Sequence, residues 1–206
     1  MVMQSMNNLR VVAPSMLCDG TSNIIVREKD NMINFLIEPE KNSSSTIYFS
    51  IPENITDKKF TININFNYEN ASVDIFGLYQ IKNKQSVEIK TEINHFVPHC
   101  NSKQIWRGVL HDFAKANFEG KIIVAKDAQK TDAQLSNKNL LLSKSAEINT
   151  KPILEIYADD VKCSHGATVG FLDNEALFYL RSRGISENTA HEILVQGFIN
   201  EVIHVI

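Results

Sequence analysis

The sequence predicts an all-β core followed by a small helical segment, and within the all-β class it favours a solenoid of stacked coils over a sandwich. Three observations carry this. From about Leu9 to Leu172 apolar and polar residues alternate in short runs, the period-2 pattern of strands. Between Phe113 and Leu172 no helical period is sustained. After Asp173 the apolar spacing becomes that of helices.

The strands follow in order. Asn23–Arg27, Met32–Ile37 and Ser45–Ile51 open the series. The clearest run is Phe60 to Tyr68, where Phe60, Ile62, Ile64, Phe66 and Tyr68 share one face and Thr and Asn take the other. Ser72–Tyr79 and Ser86–Ile93 repeat the alternation. Lys121–Val124, Ala133–Leu135, Asn139–Leu142, Ala146–Asn149 and Ile153–Tyr157 come next, with AKDAQKTDAQ and LSNKN read as polar turns. Tight Asn-Gly or Asp-Gly turns, the mark of antiparallel meanders, do not punctuate these strands. Lys121 to Tyr157 reads instead as quasi-repeats, and a coil of roughly 20-odd residues would stack about seven times over the core. An open first coil exposes unpaired edges, so Met1–Pro14 or another chain is expected to cap it.

Asp173 is a good N-cap for a helix over Asn174–Arg183, and Gly184 is placed to end it. Ser186 caps a second helix over Glu187–Val202 with an apolar stripe of Ala190, Ile193, Leu194, Gly197, Phe198 and Val202. The two helices are expected to pack on each other or on the last β layer. Gly197 costs about 1 kcal/mol against Ala inside a helix; it is read as a point of close backbone approach. Residues 1–172 are therefore expected to form the β core and residues 173–206 a helical subdomain.

Composition excludes several functions. The chain has 206 residues with 24 acids and 21 bases, a net charge of −3, whereas a general nucleic-acid binder is usually basic. The tail from Asp173 onward holds five acids and two bases, leaving the rest neutral. No apolar run approaches the length of about 20 that a membrane span needs. No signal peptide is expected at the N-terminus. Three cysteines without a C-x-x-C pair argue against a disulfide framework and for a reducing, cytoplasmic setting. Neither G-x-G-x-x-G nor a Walker A loop is present.

Cys163-Ser164-His165 is the strongest local candidate for chemistry. On a strand the first and third residues project to one face, and a thiolate beside an imidazole suits zinc or iron. Two ligands do not fill a metal site, and Asp159 and Asp160 are harder donors. The plainer reading is a buried Cys beside a partly exposed His, and spacing alone favours it. His95, His99 and Cys100 offer three ligand types in six residues, but Pro98 and the strand context favour a strand end and a turn. His111 and Asp112 could pair as acid and base, with no nucleophile nearby. Asp127, Asp132, Asp159 and Asp160 could serve as glycosidase carboxylates, though on a solenoid such residues are mostly turn formers. Trp106, the single Trp, reads as packing or interface.

Blocks further along the chain carry a resemblance. F-x-G-K-I, D-A-Q-K-T, L-L-L-S, D-D-V-K-C-S-H-G-A-T-V-G and F-Y-L-R-S-R-G-I, together with the stretch from about Val87 to Val202, resemble the core domain of the SufB/SufD family of iron–sulfur cluster assembly scaffolds. Gly166 after His165 makes the chain similar to SufD, since SufB chains tend to carry Glu there. The resemblance implies a right-handed parallel β-helix with a C-terminal helical subdomain, a SufB-like partner, a SufC-like ATPase docked on the helical tail, and no enzymatic activity. It implies a nascent iron–sulfur cluster at the subunit interface, with His165 and Cys163 as metal ligands. On the tail it covers Phe178, Tyr179, Leu180, Arg181, Arg183 and Gly184; Phe178, Tyr179, Arg181 and Arg183 are implied as partner-binding, while helix packing is the plainer reading for Phe178 and Leu180. Members of the family usually have an N-terminal helical region and a longer β-helix, so a shortened chain and a homodimer formed by sheet extension are further expectations. A polysaccharide-active β-helix enzyme and a structural paralogue without metal are the alternatives.

Overall fold

A computed structural model describes residues 9–13, 16–51 and 57–203. Period-2 alternation builds thirteen strands among these residues. The first five are β1 (Leu9–Ala13), β2 (Met16–Gly20), β3 (Ser22–Lys29), β4 (Met32–Pro39) and β5 (Ser44–Ile51). Then follow β6 (Lys58–Phe66), β7 (Ser72–Ile81), β8 (Ser86–His95), β9 (Asn101–Leu110) and β10 (Lys115–Val124). The last are β11 (Asp132–Leu141), β12 (Glu147–Ile156) and β13 (Lys162–Phe171), and two helices close the chain, α1 (Asn174–Ser182) and α2 (Glu187–Ile203).

From β4 onward the chain alternates between two sheets, and from β6 onward each strand pairs in parallel with the strand two before it. The sheet orders are β1-β2-β5-β7-β9-β11-β13 and β12-β10-β8-β6-β4-β3. This is a β-solenoid of about five turns, as the strand pattern predicts. The coil is longer than expected. Met32 pairs with Lys59 and Lys115 with Glu147, steps of 27 and 32 residues, because each coil carries two long strands. The expected seven coils of 20-odd residues came from splitting single strands. LSNKN lies in the middle of β11, and Thr150-Lys151-Pro152 in the middle of β12. Polar residues interrupt the apolar pattern there without interrupting the ladder. The strand β9 went unpredicted because Gln104 and Ser102 take inward positions.

Every second residue faces the interior. Phe35, Phe60, Phe66, Tyr79, Trp106 and Phe118 are its largest aromatic side chains and are fully buried. Trp106 stacks on Phe49 at 5.9 Å and meets Phe118 at 5.4 Å, so it is a packing residue. Gly77 sits directly beneath it, and a Cβ there would overlap the indole. The corners are made by residues in the left-handed region. Asn42, Asn70, His99 and Lys130 have φ of 55, 59, 60 and 62°. Three of these amides bond to the adjacent coil: Asn42 N donates to Glu69 O (3.2 Å), His99 N to Gln129 O (2.9 Å) and Lys130 N to Asp160 O (2.7 Å).

Two antiparallel hairpins close the N-terminal end. β1 and β2 lie outside β5, and β3 folds back on β4 through a turn at Asp30. The expected cap thus includes β1; the rest of Met1–Pro14 lies outside the described residues.

The helices start and stop as read. Asp173 accepts from Glu175 N (2.8 Å), and Gly184 takes φ of +86° after α1. α1 and α2 pack on each other, one of the two expected arrangements. α2 lies on the outer face of β7 and β9, not on the last coil. Its buried residues are Ala190, Ile199 and Val202, with Ile199 and Val202 joined to Tyr48, Phe76, Leu78, Ile105 and Val109. Ile193 from the predicted stripe is exposed, and nothing approaches Gly197. An apolar run all round a helix does not say which side will be covered.

Candidate functional site

Cys163 and His165 lie on β13, the last strand of its sheet. Lys162 N donates to Thr131 O (2.9 Å), so the even-numbered residues of β13 direct their amides to β11. The odd-numbered residues Cys163, His165, Ala167, Val169 and Phe171 direct theirs to the open edge. Their side chains continue the inward rows, with Cys163 beside Ala133 and His165 beside Leu135. No further described strand covers them. His165, Val169 and Phe171 are therefore exposed, as is Ile156 on β12, while Cys163 is half-buried against the core. The thiol and the imidazole share one face at the mouth of the solenoid, beside an unpaired edge.

Burial pushes the Cys163 thiol up and the charge of Asp132 adds to this, against a hydrogen bond from the Ala133 backbone. Asp160 is engaged elsewhere, in an ion pair with Lys130, while its amide donates to Gln129 Oε1 (2.9 Å). Among the described residues no group of three or more His, Cys, Asp or Glu is placed to hold a metal ion. The two side chains offer soft donors of the kind that suit iron or zinc, and a full ligand set would need donors from outside the described residues.

A polar network that the strand pattern concealed lies behind the mouth. Tyr79 Oη donates to Asn139 Oδ1, Asn139 Nδ2 donates to Asn137 Oδ1 (2.6 Å), and Asn137 Nδ2 donates to Tyr79 Oη (3.3 Å). Thr150 Oγ1 adds a bond to Asn137 Oδ1 (3.0 Å). These contacts explain how LSNKN enters a strand: its asparagines satisfy each other inside.

The other candidates separate in space. His95 is fully buried, stacked on Phe66 at 4.4 Å, with Nε2 2.9 Å from Ser102 Oγ. His99 is an exposed corner and Cys100 is buried. They form no joint site, in agreement with a strand end and a turn. Asp112 is a corner too, accepting from Asn83 N (2.9 Å), and Asp132 accepts from Gln134 Nε2 (3.1 Å). Of the four candidate glycosidase carboxylates, Asp160 is paired with Lys130 at a corner.

On the tail, α1 buries none of its residues. Phe178 is 74% exposed and Tyr179 58%, which corrects the packing expectation for Phe178. Arg183 lies over the Tyr179 ring at 5.3 Å, and Arg181 pairs with Glu187 at 3.4 Å. α2 is held by a charged residue that the local pattern does not single out. Arg107 is buried on the outer face of β9, donates to Trp106 O (2.7 Å), pairs with Glu201 of α2 and sits 5.9 Å from the Phe198 ring. A groove of about 370 Å³ containing Lys103, Ser136, Ser164 and Glu201 joins this clamp to β13. The Arg107 hydrogen bond holds the Glu201 carboxyl below its usual range. Glu201→Gln is expected to cost about 1–2 kcal/mol, less than a fully buried pair because Glu201 is half-exposed. The loss should be complete in chemical denaturation above about pH 4.5 and fade below it, where the unfolded chain takes up its proton first and the folded carboxyl follows at lower pH.

Residues 33–198 match the family model for the SufBD core domain of the SUF system for FeS cluster assembly. The chain belongs to the SufBD family. It is 46% identical over 136 residues to the iron-sulfur cluster assembly protein SufD of Escherichia coli (strain K12), covering 66% of this chain and 32% of that protein. It is 39% identical over 122 residues to the chloroplastic protein ABCI7 of Arabidopsis thaliana, 59% of this chain and 26% of that one. A SufBD family protein of Mycobacterium leprae is 32% identical over 153 residues, with 70% and 39% covered. The chain thus spans about a third of the length of these SufBD relatives. The matched region includes the clamp residue Arg107 as well as Cys163 and His165. No described helix is long and apolar enough to cross a membrane.

Proposed function

We propose that this chain is a non-catalytic scaffold subunit of the SUF iron–sulfur cluster assembly complex. It pairs through its open coil with a SufB-like subunit and docks a SufC-like ATPase on the exposed α1 face around Phe178, Tyr179, Arg181 and Arg183. The nascent cluster is cargo, held in passing at the seam, with His165 and Cys163 as the donors from this side. The observation that carries the reading is the coincidence of these two soft donors with an unpaired strand edge. A half-site suits a scaffold, because a closed ligand set would keep what it must release. The three cysteines without a C-x-x-C pair support a reducing compartment, the cytoplasm.

The test is reconstitution with SufB-like and SufC-like chains, following cluster formation by visible absorbance under anaerobic conditions. His165→Ala is expected to lower the yield of cluster at least fivefold while the subunits still co-purify. Cys163→Ser is expected to act in the same direction. An unchanged yield in both variants would remove the ligand role and leave a structural paralogue without metal.

A further inference from the structure

A closed ring of side-chain hydrogen bonds inside the solenoid reaches the last coil, β12 and β13, from the coils behind it. Tyr79, Gly108 and Asn139 stand in register on β7, β9 and β11. Tyr79 and Asn139 are two strands apart, and their contact depends on the residue between them. A Cβ at Gly108 would overlap both Asn139 Oδ1 and the Tyr79 ring. Without one, the phenol crosses β9 and donates to Asn139 Oδ1. Asn139 Nδ2 donates to Asn137 Oδ1 (2.6 Å), and Asn137 Nδ2 donates back to Tyr79 Oη (3.3 Å).

Two bonds tie this ring to the last coil, one to each of its strands. Thr150 Oγ1 of β12 donates to Asn137 Oδ1 (3.0 Å), and Asn139 Nδ2 donates to Thr168 O of β13 (3.3 Å). Thr168 lies three residues beyond His165 on the same strand. Tyr79, Asn137 and Asn139 are buried, and none of their side-chain polar atoms lacks a partner. A satisfied buried network is directional: it stabilises one arrangement of the groups it joins, where apolar filling of equal volume accepts several.

We propose that Asn137 and Asn139 are positioning residues for the Cys163–His165 pair. Through Thr150 and Thr168, the ring they form with Tyr79 holds both strands of the last coil against the coils behind. The pair therefore keeps its place at the mouth before any partner has paired with β13. The inference rests on the reading of Cys163 and His165 as donors.

The cysteines supply the readout. Cys163 is half-buried on the last coil, whereas Cys18 and Cys100 are buried in earlier ones. Alkylation of the full, metal-free chain by iodoacetamide, resolved by peptide mass spectrometry, reports opening of the last coil at Cys163 and global opening at the other two. Thr150→Val is close in shape and removes one tie. Cys163 should then react about fivefold faster, with Cys100 at its wild-type rate. Tyr79→Phe/Asn137→Leu/Asn139→Leu replaces the ring by hydrocarbon and removes both ties. Cys163 should react about twenty-five-fold faster and Cys100 should stay slow, because deleting both partners of a buried bond together costs little globally. Thr150 is only partly buried, so its variant decides the matter even where the triple variant unfolds. An unchanged Cys163 rate in Thr150→Val, or a rise shared in proportion by Cys100, would overturn the proposal. Alkylation needs neither metal nor partner, so the two readings fail separately: an unchanged cluster yield in His165→Ala removes the donor role, and an unchanged Cys163 rate removes the hold on the coil.

Discussion

The chain is expected to lose stability as pH falls from about 6.5, and to do so through His95. Burial holds this imidazole neutral and pushes its pKa down to about 3. In the unfolded chain it takes up a proton near 6.5. The folded pKa is the lower one, so the contribution is complete above pH 6.5 and is lost as pH falls toward 3. Across that window the slope approaches about 1.4 kcal/mol per pH unit, for a total of about 4–5 kcal/mol. The structure supplies the cause. The ring lies flat against Phe66, Nε2 reaches Ser102, and Nδ1 has no partner, so a charged ring would have nothing to stabilise it. Urea denaturation at steps between pH 7.5 and 5 should show the slope in the wild type and a reduced one in His95→Gln. A parallel course of the two proteins would mean that another group controls the acid limb.

The second large effect belongs to Trp106. Trp106→Ala should cost about 3–5 kcal/mol, the range for deleting a large buried aromatic. Phe49 and Phe118 would lose their contact, and Gln104 Oε1 would lose its indole donor. Gly77→Ala in the wild type should also destabilise, by about 1–3 kcal/mol, because the new methyl overlaps the indole. The two changes are not additive. Once the indole is gone, the Gly77 methyl enters the space it leaves, so Gly77→Ala should become neutral or stabilising in the Trp106→Ala background. Thermal denaturation of the four proteins measures the coupling; an additive cycle would show that the glycine is small for some other reason.

These residues mark the limit of what the strand pattern conveys. Phe60 to Phe66 was legible because one face is wholly apolar and the other wholly polar. Asn137 and Asn139 read locally as a turn because their satisfaction depends on Tyr79, roughly sixty residues earlier in the chain. Arg107 was passed over for a related reason. A charged residue reads as exposed, and only α2, nearly a hundred residues later, makes its burial tolerable. For the candidate site, the shared face of Cys163 and His165 followed from period 2 alone. Their position at an uncovered edge did not, since nothing local distinguishes the last strand of a solenoid from an inner one.

Local chemistry decided the element types. Alternation made the core β, Asp173 and Gly184 set the bounds of α1, and asparagine, aspartate and a few other residues that accept positive φ made the corners. Tertiary structure decided the coil length, the seat of α2 on β7 and β9, and which backbone groups remain unspent. The physical reason is range. Torsional preference and side-chain alternation act within a few residues, whereas a hydrogen-bond ladder between coils is closed by groups about thirty residues apart, and its open end exists only once every inner strand has found its neighbour.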